Sequence, residues 1–77
     1  MAEQLMLMKH PGCGYCKVLE ERIKDKIESG AIGIIDASTK EGLEIAKSLG
    51  IRGVPDCVMR KDDGTYVKCE LEELLKG

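Results

Sequence analysis

Leu5-Met6-Leu7-Met8-Lys9-His10-Pro11-Gly12-Cys13-Gly14-Tyr15-Cys16-Lys17-Val18-Leu19 is the stretch that decides how this chain folds. Leu5 to Met8 is a continuous apolar run, which reads as a short strand buried on both faces, and Pro11-Gly12 breaks it just ahead of a C-x-x-C pair. Beyond the pair, Cys16, Leu19, Ile23 and Ile27 recur at spacings of three, four and four. That spacing is one stripe of an amphipathic helix. The cysteines therefore fall where a strand runs into a helix. A helix N-terminus carries unpaired N–H groups and about half a positive charge, which favour a thiolate, the nucleophilic form, over a thiol.

By spacing alone the pair can be a redox centre, half of a zinc site or a structural disulfide. The helical phasing separates the two thiols. Cys16 lies on the stripe that must face the sheet, so it is expected to be poorly accessible, whereas Cys13 lies at the helix tip. In a redox centre Cys13 is then the attacking thiol that forms a mixed disulfide, and Cys16 is the resolving thiol that closes the intramolecular disulfide.

The chain has 77 residues, which predicts one domain over 1–77 with a hydrophobic core of marginal size. Charged residues make up 34% with both signs interleaved, and a net charge of −2 offers no basic face for nucleic acid or an anionic membrane. The longest apolar run is too short to span a bilayer, and Met1-Ala2-Glu3-Gln4 has neither the charged start nor the apolar core of a signal peptide. A cytoplasmic location is expected. A reducing compartment disfavours four cysteines as structural staples and points to catalysis or metal.

Downstream, Gly30 can take a left-handed cap that ends the first helix, and Ala31 to Asp36 reads as a second strand. Ser38 and Glu41 have the spacing of a capping box opening a second helix through Leu43, Ile45, Ala46 and Leu49, ended by Gly50. Gly42 inside it weakens the helix by about 1 kcal/mol relative to Ala. Cys57-Val58-Met59-Arg60 and Tyr66-Val67-Lys68-Cys69 flank a turn containing Asp63-Gly64, a hairpin signal. Glu70 to Lys76 supplies a last short helix with Leu71, Leu74 and Leu75 on one face. The order is β-α-β-α-β-β-α, an α/β fold with no repeat and no linker.

Directly before the hairpin stands Gly50-Ile51-Arg52-Gly53-Val54-Pro55. Proline at the first residue of a strand needs no ladder N–H, so by itself it carries no function. A C-x-x-C at a strand–helix junction, two crossover units and Val-Pro entering a hairpin together resemble the thioredoxin superfamily across essentially the whole chain. Cys13-Gly14-Tyr15-Cys16-Lys17 is similar to a glutaredoxin active site with Gly14 in place of proline, whereas Ala46 to Pro55 is closer to thioredoxin. The resemblance implies a four-stranded mixed sheet flanked by helices, thiol-disulfide oxidoreductase activity on protein disulfides, and no cofactor. It also implies a cis Val54–Pro55 bond beside the cysteine pair, with Val54 offering its backbone to an incoming polypeptide as a strand would.

Departures from the pattern bear on the electron donor. Thioredoxins usually carry an aromatic before the first cysteine and an acid in the preceding strand, and here Gly12 and Leu7 stand there. Glutaredoxins that use glutathione usually have a lysine three residues before the first cysteine, where this chain has His10 beside Lys9. Lys68-Cys69-Glu70-Leu71 replaces their glycine-rich turn, and Glu70 would repel the tripeptide's carboxylate. The resemblance thus implies a thioredoxin-reductase-like donor, with glutathione as the alternative, and a monomer. Tyr15 at the helix tip reads as a substrate contact. His10 is either a tuner of the thiolate or an exposed loop residue, and Asp56 either a solvated acid or a neighbour that raises the Cys13 pKa.

Cys57 and Cys69 admit two readings. A three-residue loop Asp62-Asp63-Gly64 sets a register that places them opposite one another, close enough for a cross-strand disulfide, whereas a two-residue loop separates them. The alternative, which a reducing cytosol favours, is two small apolar residues in a half-buried hairpin. Four cysteines could also hold a metal or an iron–sulfur cluster, although Cys57 and Cys69 lack the spacing of a zinc ribbon. A third reading is a non-catalytic binding module built on Val54-Pro55.

Overall fold

A computed structural model describes residues 3–76, so Met1 and Ala2 at the start of the Met1-Ala2-Glu3-Gln4 segment lie outside it. Its elements are β1 (Gln4–Lys9), α1 (Gly14–Arg22), α2 (Lys24–Glu28), β2 (Ile32–Asp36), α3 (Lys40–Leu49), β3 (Asp56–Arg60), β4 (Tyr66–Cys69) and α4 (Leu71–Lys76). The strands form one four-stranded sheet in the order β2-β1-β3-β4. β1 runs parallel to β2 and antiparallel to β3, and β3 and β4 are an antiparallel hairpin. The sheet is therefore mixed, as expected.

Alternation along β1 divides the core in two. Side chains on a strand point to opposite faces in turn, so Leu7 and Met8, both fully buried, enter different layers. Leu7 packs with Ile32, Cys57, Leu19, Ile23 and Leu74, on the side covered by the α1 region and α4. Met8 packs with Ile35, Val58 and Ala46, on the side covered by α3. Full burial of a side chain of this size is worth about 1.5–3 kcal/mol. The two-sided burial read from Leu5 to Met8 is what makes β1 a central strand.

Three local features differ from the sequence reading. The first helix is interrupted at Ile23, where φ −111° and ψ 18° leave the helical region, although its N–H still bonds the Leu19 carbonyl at 3.1 Å. No glycine or proline marks that bend in the sequence. The cap of α3 is Thr39, whose hydroxyl accepts from the Gly42 N–H at 3.0 Å, because the Asp36 carboxylate holds Ser38 instead, through both its N–H (2.8 Å) and its hydroxyl (2.6 Å). Finally, the inner face of α3 is Gly42, Ile45, Ala46 and Leu49, whereas Leu43 is exposed.

Gly42 has a steric reason. A Cβ at this position would collide with the carbonyl oxygen of Asp36 and lie 3.1 Å from the Ala37 Cα, so α3 approaches the end of β2 more closely than any side chain permits. A second glycine fixes the hairpin. Gly64 takes φ 88°, which lets Asp62-Asp63-Gly64 close as a three-residue loop with Lys61 and Thr65 bonded across it at 2.8 Å.

Alanine at Gly42 should therefore destabilise the protein. Helix propensity alone would gain about 1 kcal/mol, but displacing the Asp36 backbone costs roughly 1–3 kcal/mol. The urea midpoint of Gly42→Ala is expected to fall, and a rise would contradict the close approach. Acid lability is expected at two turns. Hydrogen bonds from the Ser38 side chain and N–H lower the pKa of Asp36, and those from Thr65 lower that of Asp63. A carboxyl whose folded pKa lies below its unfolded value stabilises the fold above that value and loses the contribution as pH falls through the folded one. Thermal stability followed from about pH 5 down to about pH 2, spanning the ordinary carboxyl range, should thus fall less in Asp36→Asn/Asp63→Asn than in the wild type.

Candidate active site

β1 ends at Lys9, and the chain turns at once, with the Cys13 N–H donating to the His10 carbonyl at 3.0 Å. The Gly12 N–H donates to Nδ1 of the exposed His10 ring at 3.1 Å. His10 thus shapes the turn, a role its sequence position did not announce. Cys13 follows as the N-cap of α1, with extended backbone (φ −94°, ψ 111°), and its Sγ accepts the Cys16 N–H at 3.1 Å. A sulfur therefore occupies the place usually taken by a serine or aspartate oxygen at a helix start. Reduced to a thiolate, it would receive that N–H and the field of the helix terminus together.

The two sulfurs are bonded, with Cα atoms 5.3 Å apart. Cys16 retains only 1% of its surface, on the stripe with Leu19 and Ile23, while Cys13 is half-buried. Across from the pair, the carbonyl oxygen of Val54 lies 3.9 Å from Cys13 Sγ, and the Val54–Pro55 bond is cis. Val54 packs on the α3 side of the sheet, which holds the loop before β3 against the cysteine turn. Residues 41 positions apart are brought together here.

Tyr15 is 61% exposed on the first turn of α1, and Val18, one turn on, is 52% exposed beside it. Val18 was missed in the sequence reading, although its three-residue spacing from Tyr15 marks the shared face. Lys9 and Glu20 were also missed. They form an ion pair at 3.0 Å whose side chains keep 26% and 29% of their surface, tying the end of β1 to α1. Lys9 has the parity of Leu5 and Leu7, and Glu20 lies one helical turn beyond Cys16, so both point into the same layer. At this exposure the pair is worth on the order of 1 kcal/mol. Asp56 Oδ1 accepts the Cys57 N–H at 2.8 Å, and its Oδ2 lies 3.9 Å from Lys68 Nζ across the hairpin.

Cys57, two residues past Pro55, pairs in register with Cys69, and their sulfurs are bonded with Cα atoms 5.0 Å apart. The hairpin takes the three-residue loop, and the structure closes the bridge rather than leaving two half-buried thiols. Among the described residues, no group of three or more His, Cys, Asp or Glu could hold a metal ion. Nor is any helix among them long and apolar enough to cross a membrane.

In backbone comparison the chain is similar to the crystal structure of the J-Trx1 fragment of ERdj5, with a TM-score of 0.66 over 96% of this chain at 17% identity. A thioredoxin from Thermus thermophilus gives a TM-score of 0.61, again over 96% of this chain, at 18% identity. The chain has the thioredoxin fold. It spans 40% of the ERdj5 fragment and 68% of the Thermus protein. No family model matches it, and no curated protein matches it in sequence. Within this thioredoxin fold the cysteine turn, the cis proline and the exposed Tyr15–Val18 strip converge at one end of β1 and β3, and Leu7 and Gly12 stand where the sequence reading noted departures.

Proposed function

We propose that the protein is a thiol-disulfide oxidoreductase that reduces disulfides in protein substrates. The observation that carries this reading is the Cys13 sulfur at the N-cap of α1, accepting the Cys16 N–H while the Val54 carbonyl stands 3.9 Å away. An N–H donor and a helix terminus stabilise the thiolate, and the neighbouring backbone gives a substrate chain a place to lie. In the cycle the Cys13 thiolate attacks one substrate sulfur, forming a mixed disulfide and releasing the other sulfur as a thiolate. Cys16 then attacks Cys13 Sγ, which closes Cys13–Cys16 and releases the second substrate thiolate. Two electrons pass from the dithiol to the substrate. Burial of Cys16 keeps it from intercepting substrate, and its place in the first turn of α1 puts it within reach of Cys13.

Tyr15, Val54 and Pro55 are the proposed substrate contacts, with Val18 extending the apolar strip along α1. The proposed donor is a flavin-dependent dithiol partner of the thioredoxin-reductase type, acting on a monomer. Supporting this over glutathione, the chain entering α4 carries an exposed Glu70 where a tripeptide carboxylate would otherwise be held.

With a protein disulfide substrate, Cys16→Ser should accumulate a mixed disulfide on Cys13, detected by intact mass, whereas Cys13→Ser should accumulate none. The reverse pattern would exchange the two roles. Insulin reduction should be supported by NADPH with a thioredoxin reductase at a rate at least about tenfold above that with glutathione and its reductase, a gap of about 1.4 kcal/mol in barrier. Equal or greater glutathione-supported turnover would falsify the preference for a dithiol donor.

A further inference from the structure

The second disulfide lies in surroundings unlike those of the first. Cys57 is fully buried on the central strand β3, among Leu7, Leu19, Ile23, Ile32 and Leu74, and its partner Cys69 ends the outer strand β4 half-buried. We propose that Cys57–Cys69 is a standing cross-link that stays oxidised while Cys13–Cys16 is cycled, so that the working protein alternates between two disulfides and one. This rests on the oxidoreductase reading for its cycle, but its own evidence is the burial and register of the hairpin.

A disulfide is opened by a thiolate that attacks one sulfur and expels the other as a thiolate, so both the site of attack and the leaving group matter. Attack on Cys57 would require the reductant to enter the core. Attack on the more accessible Cys69 would expel Cys57 as an ion among apolar side chains, and burial without a compensating charge disfavours the charged form. Cys57 also sits on a strand, which has no terminal dipole to offer, and the carboxylate beside it is that of Asp56, whose Oδ1 accepts its N–H at 2.8 Å. Cys16 is buried too, but in the first turn of α1, where the helix terminus favours the thiolate released when Cys13 is attacked. One buried leaving group is compensated and the other is not.

The cross-link also has a mechanical consequence. β4 is an outer strand of four residues whose two middle side chains are exposed, and α4 begins two residues beyond Cys69. α4 buries Leu74 in the cluster that contains Cys57, and its Leu74 carbonyl accepts from Lys26 Nζ at 2.9 Å. The bridge therefore fastens the outer strand, and the helix that follows it, to the strand whose entry carries Pro55.

The test counts reduced sulfurs in the full folded chain after exposure to graded dithiothreitol, with acid quenching, unfolding, alkylation and mass mapping. Each opened bond consumes one dithiothreitol, which gives two electrons and leaves as its cyclic disulfide. Over at least about a tenfold range of reductant, two sulfurs, Cys13 and Cys16, should be alkylated, with Cys57 and Cys69 joining only when reduction is carried out in denaturant. Four sulfurs rising together, or free thiols at 57 and 69 in the protein as purified, would overturn the proposal. A Cys13→Ser/Cys16→Ser protein gives a second readout. Its melting temperature should be unmoved by native-state dithiothreitol and should fall after reduction in denaturant and refolding in reductant, while an unchanged value after the latter would deny the cross-link its mechanical role. If Cys13–Cys16 opens selectively yet no substrate disulfide is turned over, the proposed function fails and the cross-link stands.

Discussion

β1 is paired on both edges and buried on both faces, and every other element is placed by that constraint. Its hydrogen-bonding edges are taken by β2 and β3, so the sheet order follows. Its alternating side chains divide the apolar residues into two layers, Leu7 towards α1 and α4 and Met8 towards α3. Because β1 is so confined, its end is a fixed point. The chain leaving that point must turn within a few residues to start α1, and the turn is where the cysteines lie.

The chemistry of the site follows from that fixed end. Cys13 is held at the N-cap, with the Cys16 N–H directed at its sulfur, and the proposed nucleophile rests on this placement. The loop before β3 is held alongside by the pairing of β3 with β1 and by the packing of Val54 beneath α3. Lys9 and Glu20 brace the corner between β1 and α1. Tyr15 and Val18 are exposed on the helix that Cys13 caps, so the proposed nucleophile and the proposed contact surface share one end of the molecule.

The hairpin shows how one glycine propagates through the fold. With Gly64 in the left-handed region, the loop has three residues, and the register then sets Cys57 opposite Cys69. A shift by a single residue would turn the cysteines away from each other and bring the other face of β4 to the core. In a small domain, such a bridge adds to a core that few side chains can build. Gly42 acts in the same way on the other layer, where its missing side chain sets the distance between α3 and the end of β2.

Most of the fold was legible because burial leaves a periodic trace. The Leu5–Met8 run, the Cys16-Leu19-Ile23 stripe and the Asp63-Gly64 turn each reflect a local geometry that the chain must satisfy, and from them came the order of elements along the chain and the unequal burial of Cys13 and Cys16, whereas the mixed four-stranded sheet came from the family resemblance. Less legible were the bend at Ile23, with no proline or glycine to mark it, and the cap at Thr39, because the competing claim of Asp36 on Ser38 exists only once β2 has ended there. The Lys9–Glu20 pair was likewise visible only as parity and spacing. The sequence by itself determined which residues face inward and where the cysteine pair meets a helix, since both depend on spacing along one segment. Only the tertiary structure decided that Asp56 reaches Lys68 across the hairpin and that Cys57 and Cys69 are joined, and it gave a distance of 3.9 Å to the approach of Val54 to Cys13 that the family resemblance implied, because each unites segments whose separation is settled by packing of the whole sheet.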